Sequence, residues 1–329
     1  MASDVGLGLV GFLGIGQEST YGSAVSRTNF FEINEESIEV SEGRIESAAL
    51  ARVGMLNTKL AQGGIGVSGG FGFDAQYGGW ERLLKHLFGT ITSSNPDPTN
   101  AATVWDHKFT IADTLPTGLT VEVFRDTGGF TTEPNKSFLY QGCALTSGTF
   151  SCGVDDLLRT RFELMGRQEA RAAKSTPTYD TSKLAVYHQG TILYNGDDKE
   201  VSEFSVTLNN SLEFRPKLGS RIGRQPKRSG KLQVTGSFVM EFISWAEYDD
   251  FRNATERTFT AEFLGDTISG TLKNRIYFDI NVAVISGCRV VNSAPGRLTL
   301  DVGFKAYRTT TKYELEITLR NTTTASLAN

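Results

Sequence analysis

The first residues that could do chemistry are glycines: Gly6, Gly8 and Gly11 match the pattern G-x-G-x-x-G. In nucleotide-binding folds this pattern makes a tight turn between a buried strand and a helix, so that backbone N–H groups meet a pyrophosphate. A helix is disfavoured here, because glycines interrupt the next dozen residues and each costs about 1 kcal/mol relative to alanine inside a helix. We therefore predict that residues 6–22 form a pliable N-terminal arm and not a phosphate-binding loop.

Histidines, cysteines and adjacent acidic pairs are the other candidates for a chemical site. They are His86, His107 and His188; Cys143, Cys152 and Cys288; and Glu35-Glu36, Asp155-Asp156, Asp197-Asp198 and Asp249-Asp250. The histidines lack metal-ligand spacing, and we predict that His86 lies on the polar side of the first helix, beside Lys85. Neighbouring carboxylates on a strand point to opposite faces. The odd number of cysteines is typical of a reducing compartment, and each is interpreted as a small buried hydrophobic residue. We predict no enzymatic activity, no cofactor and no metal; carboxylates that converge only in the fold remain an alternative.

One stretch is basic enough to suggest a partner. Residues 214–231 contain seven lysines or arginines and no acidic residue, whereas the whole chain has a formal net charge of −4. The overall charge gives no general attraction to nucleic acid, and no aromatic side chain lies between Phe214 and Phe238 to stack on bases. We predict an inter-subunit docking loop, with a solvated hairpin or a local DNA contact as alternatives. Its predicted contact residues are Arg215, Lys217, Arg221, Arg224, Lys227 and Arg228.

The elements that position these residues are mainly β-strands. The chain has 35 glycines but only 8 prolines, together with 21 phenylalanines, a composition that favours many strands and turns. Alternating apolar residues predict half-buried strands at 276–284, 298–304 and 313–319. No stretch approaches the ~20 apolar residues that a membrane-spanning helix needs, so we expect no membrane insertion.

A strand followed by a helix occurs twice along the chain. Alternating apolar and glycine positions from Ile65 to Phe73 recur 167 positions later, from Leu232 to Met240. Helical spacing of apolar residues follows each strand, beginning at Trp80 in the first copy. In the second copy the apolar stripe is formed by Trp245, Tyr248 and Phe251, and we predict that it packs in the core.

Weaker matches extend this repeat. Ser37–Val40 resembles Ser211–Phe214 at a spacing of 174, and Gly142-Cys143 resembles Gly287-Cys288 at a spacing of 145. The strands that follow reach Gly166 and Gly303, 137 positions apart. Because the spacing shrinks along the chain, we predict that the second copy has the shorter loops.

The repeat predicts two tandem β-sandwich or barrel domains, each with one flanking α-helix. We place the first at residues 1–170, including the N-terminal arm, and the second at residues 171–329. The polar stretch 167–180 has no apolar periodicity and is interpreted as the join. Asn195-Gly196 lies between two short apolar runs, which predicts a hairpin near the start of the second copy.

The chain resembles the tail tube proteins, or major tail proteins, of long-tailed bacteriophages. The resemblance begins at Gly14–Ser47 and continues through the strand and helix at Gly66–Phe88, through His107–Val123 and through the Gly142-Cys143 strand. It resumes at residue 178 and covers most of the chain. It implies β-sandwich or barrel domains whose strands join neighbours into a ring around a channel for the genome. No catalytic residue belongs to the family pattern.

The resemblance also implies partners and a location. A chain with two tube domains predicts three chains in a ring that presents six domains, with the long loop packed on the next ring and the N-terminal arm on a neighbouring subunit. Tape measure, tail terminator and distal tail proteins are implied partners, and double-stranded DNA is expected to pass without sequence-specific binding. The expected location is the virion, after assembly in the host cytoplasm. A duplicated carbohydrate-binding or adhesion module is the alternative function.

Overall fold

The computed structural model describes residues 11–48, 59–126, 136–292, 296–310 and 313–324. Strands account for 63% of the protein and helices for 7%, which confirms the predicted mainly β class. The strands are β1 (Gly11–Gln17), β2 (Asn29–Phe31), β3 (Glu35–Glu36), β4 (Glu39–Glu46), β5 (Leu60–Asp74), β6 (Gly89–Ser94), β7 (Trp105–Ile111), β8 (Leu119–Arg125), β9 (Lys136–Gly153), β10 (Arg159–Gly166), β11 (Gln168–Ala173), β12 (Gly190–Tyr194), β13 (Asp197–Asp198), β14 (Val201–Asn209), β15 (Leu212–Lys217), β16 (Ser220–Arg228), β17 (Gln233–Glu241), β18 (Glu256–Ser269), β19 (Leu272–Asn292), β20 (Leu298–Ala306) and β21 (Glu316–Asn321). The helices are α1 (Glu81–Phe88) and α2 (Ala246–Asn253), with a short 3-10 helix at Tyr187–Gln189.

Eight strands form one antiparallel sheet that crosses both halves of the chain, hereafter the long sheet. Its order is β4, β5, β10, β9, β14, β17, β20 and β19, and β3 precedes β4 along the same edge. The first four strands come from the first half of the chain and the last four from the second half. The halves meet where β9 pairs with β14, from Gly153 facing Glu203 to Ser147 facing Asn209.

The strands β9 and β19 are long enough to belong to two sheets. The first part of β9 pairs with β8 and β11, and β8 continues to β1 and β2. The first part of β19 pairs with β18 and β21; β18 continues to β12 and β13, and β21 continues to β7 and β6. A single cluster of buried apolar side chains runs through both halves, which the Phe150 and Phe278 rings connect at 5.3 Å.

The strand pairings of the first half recur in the second half. Strands β5 and β17 are equivalent at a spacing of 167, so the residues that face equivalent positions on them are also equivalent. These facing residues lie 140 positions apart on β10 and β20, and the next pair of strands, β9 and β19, has the same spacing of 140. Both copies carry a β-bulge at the same place, Thr146 in β9 and Ser286 in β19. Strands β3 and β4 correspond to β14 at a spacing of 168.

The predicted spacings of 174, 145 and 137 are therefore wrong. Cys143 corresponds to Ala283 and not to Cys288, and Gly148 is the counterpart of Cys288. The matches failed because one or two identical letters do not determine a register, whereas facing positions across a sheet do.

Both predicted helices are present, one after β5 and one after β17, but they pack differently. The apolar side of α1 is fully buried, and so is Trp80, the residue that precedes it. On α2 the buried side chains are Glu247 and Asp250, whereas Trp245 is 62% exposed. The prediction that Trp245 packs in the core is wrong, because Asp250 turns inward to accept hydrogen bonds from Tyr194 and Arg257 at 2.9–3.2 Å.

The glycine-rich N-terminus contains a buried strand. Gly6 and Gly8 lie outside the described residues, but β1 lies between β2 and β8 and most of its residues are buried. The predicted pliable arm is therefore wrong for residues 11–17. A Cβ at Gly16 would lie 2.4 Å from the Ser26 carbonyl oxygen, and one at Gly14 would lie 2.8 Å from the Phe30 ring, so these glycines permit close packing.

Two features lie at the join between the halves. The Asn195-Gly196 hairpin is confirmed: Tyr194 faces Asp197, and the two turn residues have φ of 56° and 82°, as a two-residue hairpin turn requires. Strand β11 spans the predicted boundary at residue 170 and pairs with β9, so this part of the stretch 167–180 is a strand. The division into domains at 170 stays a prediction.

Candidate functional site

The histidines lie apart from one another in the fold. His86 is buried on α1, so its predicted place on the polar side is wrong. His107 is buried with Nδ1 2.8 Å from Ser93 Oγ and Nε2 2.9 Å from the Thr323 carbonyl oxygen, and His188 is exposed. Within the described ranges, no group of three or more His, Cys, Asp or Glu side chains could hold a metal ion.

The acidic pairs and cysteines have structural surroundings. Glu36 contacts Arg125 at 2.8 Å whereas Glu35 pairs with Arg161, so these two carboxylates diverge as expected. Cys143 and Cys152 are buried free thiols, and Cys288 is partly exposed. Burial raises the pKa of all three, that of Cys152 to about 11, which keeps them protonated near neutral pH.

The basic stretch forms the hairpin β15–β16, hereafter the basic hairpin. This hairpin packs against the first half of the chain. Arg228 donates to Asn210 Oδ1 at 2.7 Å and to the Ala112 carbonyl oxygen. Arg221 donates through Nε to the Gly63 carbonyl oxygen at 2.7 Å and through Nη1 to Gln62 Oε1 at 2.8 Å. These two arginines therefore hold the hairpin against its own chain.

Three other cations of the basic hairpin face outward. Lys217, Arg224 and Lys227 are exposed, and Leu218 at the tip is fully exposed. Arg215 is half-buried and points to the Gln225 carbonyl oxygen at 3.5 Å. Of the six predicted contact residues, Lys217, Arg224 and Lys227 are thus the ones that can reach a partner.

The two ends of the long sheet are open edges in the part of the chain that the structure describes. Strand β4 pairs with β5 on one side, and its side chains are almost all exposed. At the other end, residues 287–292 of β19 pair with β20 and with no other described strand. Unpaired edges invite pairing with another chain, and monomeric proteins usually block them.

An exposed apolar patch lies beside the β19 edge. It consists of the exposed side chains of Ile243, Trp245, Val290 and Leu298 together with the half-buried Phe242, hereafter the apolar patch. Ile243 is 80% exposed, and the Phe242 N–H donates to the Leu298 carbonyl oxygen at 3.0 Å. Contiguous exposed apolar residues of this kind mark interaction sites.

Two open sheet edges, an apolar patch and an outward-facing basic hairpin define a protein built for contact with other protein surfaces. The chain matches the family model described as phage tail tube protein over residues 8–306, and it belongs to that family. It is therefore a structural protein of the phage tail tube, and its family places it in the virion. No curated protein sequence matches the chain.

The described helices can be compared with the prediction that the chain does not insert into a membrane. None of the described helices combines the length and the apolar character that a membrane-spanning helix needs.

Sequence reasoning missed both sheet edges and the apolar patch. Glu39 and Val40 on β4, and Arg289 and Val290 on β19, were unremarkable members of alternating strands. A signal existed in the repeat: with the correct spacing of 140, exposed Val290 takes the place of buried Phe150.

Proposed function

We propose that three copies of this protein join edge to edge into a closed ring, and that stacked rings form the tube through which double-stranded DNA leaves the virion. Residues 1–170 and 171–329 serve as two tube domains, so that a ring has six domains around its channel. The long sheet contributes eight strands per copy, so three copies would close a barrel of 24 strands.

One observation carries the proposal: the strands at the two open edges are repeats of the strands that meet inside the chain. Strand β19 corresponds to β9 and strands β3–β4 correspond to β14, and β9 and β14 pair with each other. A surface that fits a different surface of the next copy generates rings when the rotation closes.

The remaining surfaces supply stacking and passage. The exposed cations of the basic hairpin contact the next ring, and the ends of the tube meet the tape measure, tail terminator and distal tail proteins. DNA passes without sequence-specific contacts, since fixed phosphate contacts would slow it. Assembly takes place in the host cytoplasm.

Electron microscopy of the purified protein tests this proposal. We expect rings or tubes with three copies per ring, seen as threefold symmetry with six similar lobes. Six chains per ring would contradict the stoichiometry, and a protein that stays monomeric at every concentration would contradict the ring itself.

The carbohydrate-binding alternative would use exposed aromatic side chains as a platform for sugar rings. Trp245 is exposed, but it meets Phe242 at 89° and Tyr248 at 80°, with ring centroids 5.1 and 5.6 Å apart. Edge-to-face rings give no flat aromatic surface, so these residues favour a protein contact over a glycan site.

A further inference from the structure

We infer that the joint between two copies reproduces the joint inside the chain residue for residue: β19 of one copy pairs antiparallel with β3–β4 of the next copy, with Arg289 facing Glu39 and Cys288 facing Val40. The inference rests on the proposed ring and adds the register and the contacts of its interface. The partner is a second copy of this chain.

The register follows from the internal joint. There Thr149 of β9 faces Thr207 of β14, and Gly148 faces Leu208. At the spacing of 140, Thr149 and Gly148 correspond to Arg289 and Cys288. At the spacing of 168, Thr207 and Leu208 correspond to Glu39 and Val40.

The same register brings opposite charges together. Inside the chain the Thr149 and Thr207 hydroxyls form a hydrogen bond of 3.0 Å on the solvent-facing side of the long sheet. The corresponding positions at the open edges, Arg289 and Glu39, are both exposed. Opposite charges on facing residues stabilise a strand pair, and like charges there destabilise it. A shift of one residue would move every side chain of the edge to the other face.

Two residues of the apolar patch, Val290 and Trp245, are also accounted for by this joint. Phe150, fully buried inside the chain, touches Trp80 and Phe278. At the open edge Phe150 is replaced by Val290, 38% exposed, and Trp80 by Trp245.

The next copy offers the matching half of that contact. The counterpart of Phe278 is Phe138, which lies half-buried in a shallow pocket with Ile38 and Val40 beside the β3–β4 edge. Phe138 and Val40 of one copy therefore cover Val290 and Trp245 of its neighbour, as the second half covers the first within a chain.

A disulfide trap tests the register. Val40→Cys places a thiol opposite the native Cys288 of the neighbouring copy, and facing Cα atoms in an antiparallel pair lie about 4.5–5.5 Å apart, within disulfide range. We expect Val40→Cys to give covalently linked dimers and trimers in assembled protein under copper-catalysed air oxidation. Ile38→Cys, two residues away on the same face, should give at least tenfold less, and adding Cys288→Ser to Val40→Cys should abolish the product.

A charge exchange tests the same register without oxidation. Glu39→Arg and Arg289→Glu each place like charges in contact, so each should raise the protein concentration needed for ring formation at least tenfold. The double variant Glu39→Arg/Arg289→Glu should restore it to near the wild-type value. Unchanged thermal unfolding of the unassembled variants separates an assembly defect from a folding defect.

The outcomes separate this inference from the proposed function. If the wild type forms rings but Ile38→Cys cross-links as well as Val40→Cys, the register is wrong and the ring remains supported. The same conclusion follows if the wild type forms rings but the double charge variant does not restore assembly. Wild-type protein that never assembles would overturn the ring and the joint with it.

Discussion

Burial in the fold changes the protonation of His86. The residue lies on α1 at 3% exposure, and its Nε2 atom has no hydrogen-bond partner among the residues that the structure describes. Burial, together with the nearby Lys85 and Arg82 charges, lowers its pKa to about 3. The folded protein thus keeps this imidazole neutral at a pH where the unfolded chain binds a proton, so acid destabilises the fold through this residue.

We predict that His86→Leu makes the fold less sensitive to acid. As pH falls below about 6.5, the wild type should lose up to about 1.4 kcal/mol of unfolding free energy per pH unit relative to the variant, down to the folded pKa near 3. Denaturant unfolding between pH 7 and 4 measures this difference. His188→Gln at an exposed site is the control and should follow the wild type; parallel curves for His86→Leu and wild type would contradict the prediction.

The burial of His86 could not be predicted from the sequence. Leu83, Leu84 and Leu87 predict one apolar stripe, and the pattern predicts that His86, next to Lys85, lies on the opposite side. The second half of the chain also covers α1, since Asn210 donates to the Leu87 carbonyl oxygen at 2.9 Å. A helix enclosed from more than one side buries polar positions that periodicity alone assigns to solvent.

At the scale of elements, the basic hairpin divides into residues that anchor it and residues that are free to contact a partner. We predict that the triple variant Lys217→Ala/Arg224→Ala/Lys227→Ala forms rings but stacks them poorly, because it removes only the outward charges and keeps the anchors Arg221 and Arg228. Electron microscopy should show single rings and tubes at least severalfold shorter than wild type.

The control for this variant removes the same charge elsewhere. Arg159, Lys183 and Lys273 are exposed and lie outside the hairpin, so their triple alanine variant should stack normally. Full-length tubes from the hairpin variant would exclude Lys217, Arg224 and Lys227 from stacking. Equal shortening in both variants would indicate a general effect of net charge.

The sequence predicted which elements exist better than how they pair. Alternation located β5, β17, β19 and β20, and helical spacing located α1 and α2, because these patterns are local. The open edges and the register of the repeat depend on pairings between strands, such as Val67 with Gly166, which no local pattern contains. The Gly-Cys match failed for that reason.

At the scale of the whole molecule, the proposed ring assigns an environment to each face of the long sheet. The helices and the second sheets pack on one face of the long sheet. Because the outer side of a ring has more space than the inner side, this face lies outside in the proposed ring and the other face lines the channel. Alternation places small polar residues such as Ser151, Ser205 and Thr207 on that face. Its charged residues are Glu35, Glu39, Asp74, Glu163, Glu203, Glu241 and Asp301, against Arg159, Arg161, Arg289 and Lys305.

A channel lined by small polar residues and an excess of acidic residues would repel DNA from its wall. Replacing acidic residues of this face by lysine tests the repulsion. Glu203 and Asp301 both face Val239 from either side, so Glu203→Lys/Asp301→Lys creates a basic row across three strands. We predict that tubes of this variant retain short double-stranded DNA at 50 mM salt and release it at 200 mM, because phosphate contacts are salt-dependent, whereas wild-type tubes retain none at either. Asp198→Lys/Glu200→Lys, an equal charge change away from that face, should behave as wild type. DNA retention by the control and not by the channel variant would place the long sheet on the outside of the ring.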